Sequence, residues 1–377
     1  MRQDAVRRRF QVRARDAAAV AAALNAAAAP LRDEVTLDID PEAPAAGDIL
    51  TVRLLGTAKA TAAVREKVPA GTHVSRDFVD LPLRKRDLVY PDPRVGARID
   101  PQGRAAAGPP LTQPVIVAVV DSGIAVTHPD LRPRLWAGNA AHGVCVMDPP
   151  ADATDVSDRD GHGTLVAGTI AATAGNMRLE LMAVKIFDAA SEPRPITAAR
   201  GIEYAVKNGA HIINLSFDIG IGSPELKDAV ELACDADVLV VFAAGNNGSN
   251  NDEYRPVPAR YADRCREKTL VVMASDWYDE RPTFSNFGPG TVDLAAPGVR
   301  IVSTRARWSP GKKYALYTGT SPAAAHVSGA LARLKARSPL LKAKELKEAL
   351  VEAGDLVNKV RRLPRLKCSS GRRLRVV

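Results

Sequence analysis

The 377 residues of the chain are enough for one large domain with a sizeable core and a second, small domain. They contain no apolar run long enough to cross a membrane as a helix, so we expect no membrane span. The net charge of +9 is concentrated at the two ends of the chain. Residues 1–15 contain six arginines and one acid, and residues 359–377 contain eight basic residues and no acid. This distribution argues against a nucleic-acid-binding surface on the main part of the chain.

The N-terminal part of the chain alternates short strand patterns with helical ones. Strands are predicted at residues 8–16, 35–39, 49–55 and 73–79, and helices at 17–29 and 59–68. This βαββαβ order is typical of a ferredoxin-like module, which we assign to residues 1–90 as a small α+β unit. Residues 91–113 are rich in Pro, Gly and Ala and lack hydrophobic periodicity, so we interpret them as a linker.

From residue 114 onward the pattern changes to continuous apolar runs that alternate with helices. Strands are predicted at 115–120, 181–187, 212–215, 238–243 and 270–274, and helices at 164–174, 197–208, 224–234, 322–336 and 343–353. Such unalternating, β-branched strands are buried on both faces. We therefore predict a three-layer α/β domain at residues 114–358, with a mostly parallel sheet, followed by a basic tail at 359–377.

The cysteines lie far apart in the sequence and form no C-x-x-C pair. They are Cys145, Cys234, Cys265 and Cys368. A fold of this size does not need disulfides, so we expect unpaired thiols and a reducing, cytoplasmic location. Residues 7–10 (RRRF) have a superficial similarity to an export signal, but charged residues interrupt the stretch that follows. Export therefore stays open as the alternative.

Ser321 stands at the predicted start of a helix, directly before Pro322. Proline is tolerated in the first helical turn because its missing N–H would have no partner there. The N–H of Ser321 and the helix dipole could then stabilise a developing anion. Taken alone, a serine at this place is more often a plain helix cap.

Three further polar residues follow predicted strands or begin a helix. Asp121 comes directly after the strand 115–120, where a buried carboxylate needs a partner. His162 stands between two glycines close to the start of a helix, and Asn246 ends the strand 238–243. Each one alone also fits an ordinary role in a turn, at the surface or in a cap.

Together, these residues lie in four motifs that resemble those of the subtilisin-like serine proteases, the subtilases. The motifs are residues 121–131 (DSGIAVTHPDL), 160–164 (DGHGT), 243–246 (AAGN) and 319–329 (GTSPAAAHVSG). The order Asp, His, Ser is also that of subtilases. Pro322, Ala325 and Leu165 depart from the usual Met, Pro and His, but none of them is a group that the reaction needs.

The resemblance implies a serine endopeptidase with the triad Asp121, His162 and Ser321 and with Asn246 as an oxyanion donor. It implies that an extended substrate binds to two short segments. These are Ser216, Phe217 and Asp218, together with Ala244 and Gly245. Where subtilases usually have Gly, Asp218 favours a basic residue in the substrate, unless its side chain points to solvent.

The resemblance also implies an N-terminal module that inhibits the protease domain and helps it to fold. The expected partners are protein or peptide substrates and this module, with no nucleic acid. No cofactor is required, and calcium binding is an option because residues 148–160 carry five aspartates, although without an EF-hand pattern. Two alternatives stay open: a catalytically silent subtilase that only binds peptides or a dedicated partner, and a nucleic-acid-bound regulator that uses the basic tail.

Overall fold

The computed structural model describes the chain in eleven segments, which are residues 5–13, 17–31, 35–39, 49–57, 73–80, 114–147, 152–189, 191–276, 280–307, 313–356 and 372–373. The chain divides into two compact units close to residue 88. The predicted helix 59–68 and the predicted linker 91–113 lie outside the described residues. Among the residues described, no helix is long and apolar enough to span a membrane.

The N-terminal unit contains a four-stranded antiparallel sheet and one helix. Its elements are β1 (Ala5–Arg13), α1 (Ala17–Ala28), β2 (Val35–Ile39), β3 (Ile49–Thr57) and β4 (His73–Asp80). The strand order is β2-β3-β1-β4, with every neighbouring pair antiparallel. This is the strand order of a ferredoxin-like module, whose second helix would fall outside the described residues, so that assignment stays a prediction.

The larger unit is built on seven parallel strands. They are β5 (Val115–Asp121), β6 (Gly143–Cys145), β7 (Leu179–Lys185), β8 (Ile212–Leu215), β9 (Leu239–Ala243), β10 (Thr269–Ser275) and β11 (Leu294–Pro297). Their order in the sheet is β6-β7-β5-β8-β9-β10-β11, and each neighbouring pair is parallel. The predicted parallel α/β fold is therefore confirmed.

Shorter strands complete the unit. β12 (Ile301–Thr304) and β13 (Tyr314–Tyr317) form a separate two-stranded sheet. β14 (Asp355–Leu356) and β15 (Arg372–Arg373) extend the edge of the main sheet, where β15 pairs with both β11 and β14. Two residues of the predicted basic tail therefore belong to the sheet.

Helices cover both faces of the main sheet. They are α2 (His162–Ala174), α3 (Pro195–Lys207), α4 (Pro224–Asp235), α5 (Thr320–Arg337) and α6 (Ala343–Ala353). Ala118 and Val120 of β5 belong to one core cluster with residues of α3 and α4. The central helix α5 packs against β5, β8, β9, β10 and β11 and against α2. Since successive strand residues point to opposite faces, this accounts for strands that are apolar throughout.

Both helices that carry motif residues begin two residues earlier than predicted. α2 begins at His162 instead of residue 164, and α5 begins at Thr320 instead of residue 322. Before α2, Gly161 has a φ of +105°, a conformation that glycine adopts at little cost. His162 and Ser321 therefore lie within the first turns of their helices, where backbone N–H groups have no intrahelical acceptor.

The expectation of unpaired cysteines was wrong for Cys234 and Cys265, which form a disulfide with their Cα atoms 6.4 Å apart. Cys234 lies near the end of α4, ahead of β9, and Cys265 lies shortly before β10. Because β9 and β10 are parallel neighbours, their amino ends lie side by side and bring the two cysteines together. Cys145 is a buried free thiol, and Cys368 lies outside the described residues.

Candidate active site

Asp121 and His162 form a buried pair at the carboxyl end of the central strand β5. Asp121 is the last residue of β5 and His162 is the first residue of α2. The Nδ1 atom of His162 lies 2.8 and 2.9 Å from the two carboxylate oxygens of Asp121. Facing a carboxylate, Nδ1 is the donor, which leaves Nε2 as the basic nitrogen of the ring.

Asp158 joins the turn after Asp121 to the start of α2. Its buried carboxylate accepts hydrogen bonds from the Ser122 hydroxyl at 2.9 Å and the Gly161 N–H at 2.7 Å. It also accepts from the N–H and hydroxyl of Thr164, at 2.8 and 2.5 Å. Burial raises the pKa of Asp158, and these hydrogen bonds act in the opposite direction.

Gly163, the residue after His162, lies where a larger side chain would not fit. A Cβ on Gly163 would lie 2.1 Å from the carbonyl oxygen of Gly123 and 3.2 Å from the Cβ of Asp121. The N–H of Gly163 also donates to the hydroxyl of Ser122 at 2.9 Å. The end of β5 and the start of α2 are therefore in van der Waals contact, which sets the distance between the Asp121 and His162 side chains.

Ser321 lies at the end of a neighbouring strand. It is the second residue of α5, and its hydroxyl donates to the carbonyl oxygen of Ser216 at 3.0 Å, just beyond β8. A buried chain of side-chain hydrogen bonds supports this contact. The Asn214 amide donates to the Ser216 hydroxyl at 2.8 Å, and the Ser328 hydroxyl donates to Asn214 at 2.9 Å. The first turns of α5 are thereby fixed to the end of β8.

Asn246 follows β9 and is held by the residue before Ser321. Its Oδ1 accepts from the N–H of Thr320 at 2.8 Å and from the hydroxyl of Thr320 at 3.1 Å. The same hydroxyl accepts from the N–H of Gly245 at 3.2 Å. Because Oδ1 is used in this way, the Nδ2 group is left to donate beside the first turn of α5. Thr320 lies inside the motif of residues 319–329, but no role was predicted for it.

Comparison with known proteins identifies this arrangement. Residues 112–365, about two thirds of the chain, match the profile of the subtilase family, peptidase S8. The chain belongs to the subtilase family. Subtilisin Savinase of Lederbergia lenta is 40% identical over 232 residues, which are 60% of this chain and 77% of that protein.

Two further matches agree with the first. Subtilisin NAT of Bacillus subtilis subsp. natto is 36% identical over 233 residues, covering 60% of this chain and 56% of that protein, little more than half of its length. The crystal structure of a cold adapted subtilisin-like serine proteinase matches with a TM-score of 0.58 and 26% identity, over 70% of this chain and 89% of that one. The subtilase is accordingly a serine endopeptidase, and the prediction of its family is confirmed.

The predicted substrate-binding residues of the subtilase fall into two groups. Ala244 and Gly245, which precede Asn246 in the chain, are buried. The carbonyl oxygen of Ala244 accepts hydrogen bonds from the side chains of Asn251 and Asn286. Ser216, Phe217 and Asp218 lie on the segment that follows β8, where Ser216 is buried and the other two are partly exposed.

Within that segment, Phe217 packs against the core cluster. Asp218 accepts from the N–H of Gly220 at 3.0 Å, so it caps its own turn. The pKa of the Tyr254 phenol is raised, mainly by burial and secondarily by the negative charge of Asp218. The charge of Asp218 is therefore within electrostatic range of the half-exposed Tyr254.

The four described aspartates of residues 148–160 each have their own hydrogen-bond partners. Asp152 accepts from Thr154, Asp155 accepts from Ser157 and pairs with Arg159, and Asp160 accepts from the N–H of His162. Asp158 is the acceptor at the start of α2, and Asp148 lies outside the described residues. Within the described part of the chain, no three His, Cys, Asp or Glu residues could together hold a metal ion.

Proposed function

We propose that this subtilase cleaves peptide bonds with Ser321 as nucleophile, His162 as general base and Asp121 as the residue that orients the imidazole. The observation that carries the proposal is the contact of His162 Nδ1 with both carboxylate oxygens of Asp121, at 2.8 and 2.9 Å. It fixes the proton on Nδ1 and leaves Nε2 free of that proton, as a base must be.

The reaction starts when the Ser321 hydroxyl turns away from the Ser216 carbonyl, to which it donates in this structure. Nε2 of His162 takes the hydroxyl proton while Oγ attacks the carbonyl carbon of the scissile bond, and the carbonyl π electrons move to oxygen. His162 then protonates the leaving nitrogen as the C–N bond breaks. Water repeats the same sequence on the acyl-enzyme and releases the second product.

The oxyanion would be held by the N–H of Ser321 and by the Nδ2 group of Asn246. Ser321 is the second residue of α5, where its N–H has no intrahelical acceptor and the helix dipole favours negative charge. Two hydrogen bonds from Thr320 to Asn246 Oδ1 support the orientation of Nδ2. Such fixed donors need no reorganisation when charge develops, which is why they stabilise the transition state.

We propose that Asp218 favours Lys or Arg on the acyl side of the cleaved bond. Its carboxylate is partly exposed and lies on the segment directly after Ser216, whose carbonyl oxygen contacts Ser321, which supports a negative charge within reach of the substrate. Cleavage-site mapping on a peptide library compares the wild type with Asp218→Gly. We expect the preference for basic residues to weaken in the variant, and an unchanged profile would rule out the role of Asp218.

We further propose that residues 1–90 inhibit the protease domain and assist its folding. A parallel sheet pairs strands that are distant in sequence, as Val117 of β5 does with Ile212 of β8, and such sheets form slowly. Residues 1–90 added in trans should suppress hydrolysis by the separate protease domain. N-terminal sequencing of active wild-type protein and of Ser321→Ala decides whether the module is removed, and a fully active chain that still begins at Met1 would exclude removal as a requirement.

Turnover of a chromogenic peptide tests the central proposal. Ser321→Ala should lower kcat by about 10⁶, and Asn246→Ala by about 10²–10³ because only one oxyanion donor is lost. A silent peptide-binding subtilase predicts no hydrolysis by the wild type either. If Ser321→Ala hydrolyses the peptide as fast as the wild type does, the triad assignment is wrong.

A further inference from the structure

Asn286 is a fully buried residue that binds the backbone on both sides of Asn246. Its own N–H donates to the carbonyl oxygen of Gly245 at 3.0 Å. Its side-chain Oδ1 accepts from the N–H of Asn247 at 2.9 Å and from the N–H of Ser249 at 3.0 Å. Its Nδ2 group donates to the carbonyl oxygen of Ala244 at 3.0 Å. Both polar atoms of this side chain therefore hold the backbone of one short segment, residues 244–249.

The turn that Asn286 holds, residues 245–249, contains two glycines with positive φ, a conformation that other residues rarely adopt. Gly245 and Gly248 have φ values of +105° and +70°, which lie in the left-handed region. A Cβ on Gly245 would lie 2.4 Å from the Nδ2 atom of Asn286, so the turn is in direct contact with this side chain. The N–H of Gly248 also donates to the carbonyl oxygen of Phe284 at 2.7 Å.

Two separate supports therefore act on Asn246. Thr320 binds its side-chain oxygen, and Asn286 binds the backbone directly before and after it. The position of a side-chain amide depends on the position of the backbone to which it is attached. A donor displaced by about 1 Å can lose roughly a hundredfold in rate, because the transition-state charge is stabilised only at the correct geometry.

We propose that Asn286 is a positioning residue of the oxyanion site, which acts by fixing the turn that carries Asn246. The proposal rests on the proposed oxyanion role of Asn246 and extends it to a residue of a different loop. Asn286 lies forty residues further along the chain, and the contacts described above connect it to the backbone of residues 244–249 and not to the triad or to Ser216. Ala244 and Gly245 were also predicted to bind substrate, but both are buried, and Asn286 already donates to their carbonyl oxygens. Its effect should appear in kcat and not in substrate binding.

Asn251 provides a matched control for Asn286. It is also buried, at 2% exposure, and its Nδ2 group donates to the same carbonyl oxygen of Ala244, at 2.9 Å. Among the described residues, however, its Oδ1 has no hydrogen-bond partner. Asn251→Ala therefore removes a buried amide and a bond to Ala244 while leaving the bonds to Gly245 and Asn247 in place.

The test is a double-mutant cycle on the full chain, with kcat and KM measured on a chromogenic peptide and enzyme concentration set by active-site titration. The variants are Asn246→Ala, Asn286→Ala, the double variant and Asn251→Ala. We expect Asn286→Ala to lower kcat by about 10- to 100-fold in the wild type with KM within about threefold, and by less than about threefold when Asn246 is already Ala. Asn251→Ala should keep kcat within about threefold of the wild type.

Two outcomes would overturn the proposal while leaving the proposed function of Asn246 intact. Equal losses from Asn286→Ala in both backgrounds would show that Asn286 acts independently of Asn246, as would a raised KM at unchanged kcat. An unchanged kcat in Asn246→Ala would remove the oxyanion role itself, and with it the proposal. If Asn286→Ala does not fold, Asn286→Leu replaces it, since it keeps the volume of the side chain and still removes the acceptor for Asn247 and Ser249.

Discussion

His326 makes the stability of the protease domain depend on pH. The residue lies on the buried side of α5, 5% exposed, and its Nδ1 hydrogen-bonds with the carbonyl oxygen of Pro322 at 2.8 Å. Burial lowers its pKa from an ordinary 6.5 to about 4, and hydrogen bonds with the backbone of Pro322 and Pro297 act in the opposite direction. The folded protein therefore keeps this imidazole neutral where the unfolded chain protonates it.

The sign and the magnitude follow from linkage. Between pH 6.5 and about 4 the unfolded chain binds a proton at His326 that the folded protein does not bind, so the free energy of unfolding falls as the pH falls. The full contribution is present above pH 6.5. The difference between the two pKa values corresponds to about 3 kcal/mol, which is a large part of the stability of a typical domain.

Urea unfolding of the Ser321→Ala protein, which should not digest itself, measures this contribution between pH 7.5 and pH 4.5. His326→Gln in the same background keeps a side chain that can donate to Pro322 but does not titrate. We expect the loss of stability over this pH range to be smaller by about 2–3 kcal/mol in the glutamine variant. NMR of the labelled imidazole in the folded protein should show it neutral at pH 5.5. The same pH dependence in both proteins, or a protonated imidazole at pH 5.5, would refute the reasoning.

Three further changes have expected outcomes. Lys347→Met removes an ammonium that donates to two carbonyl oxygens and, at 2.8 Å, to Asp293. Urea unfolding should show that the free energy of unfolding falls by about 3 kcal/mol. An unchanged midpoint would mean that the pair contributes nothing to stability. Replacing Cys234 and Cys265 with Ala opens a loop with a sequence separation of 31, which should cost about 3–4 kcal/mol of unfolding free energy. If alkylation under non-reducing conditions finds both thiols free in the wild type, the disulfide is excluded. Gly163→Ala introduces a Cβ 2.1 Å from the carbonyl oxygen of Gly123, just after β5. The resulting clash should displace the start of α2 and lower kcat at least tenfold. Wild-type kinetics in this variant would contradict the close contact.

The sequence predicted the pair Asp121 and His162 for reasons that the fold preserves. Buried parallel strands place their carboxyl ends along one edge of the sheet, and the helices that follow begin at the same edge. The pair itself was predicted from the resemblance of two short motifs to those of the subtilases, and the structure places the two side chains within hydrogen-bonding distance. The parallel sheet itself followed from strands that are apolar on both faces.

The supports of the site could not be predicted in the same way. Asp158 was predicted only as one of five aspartates in residues 148–160, and no role was predicted for Asn286. Most of their partners are backbone N–H and C=O groups, which nearly every residue has, so no pattern of residue types distinguishes them. The pairing of Cys234 with Cys265 was missed because it depends on which strand ends are neighbours, a property of the sheet order and not of the spacing between cysteines.

The central claim is that Ser321 is the nucleophile of an active protease. Labelling the full chain with a fluorophosphonate, followed by peptide mass spectrometry, tests it most directly because the reagent bonds only to an activated serine. We predict one adduct per chain, located on Ser321, and none in Ser321→Ala. Absence of labelling in the folded wild-type protein, or an adduct on another serine such as Ser216, would contradict the claim.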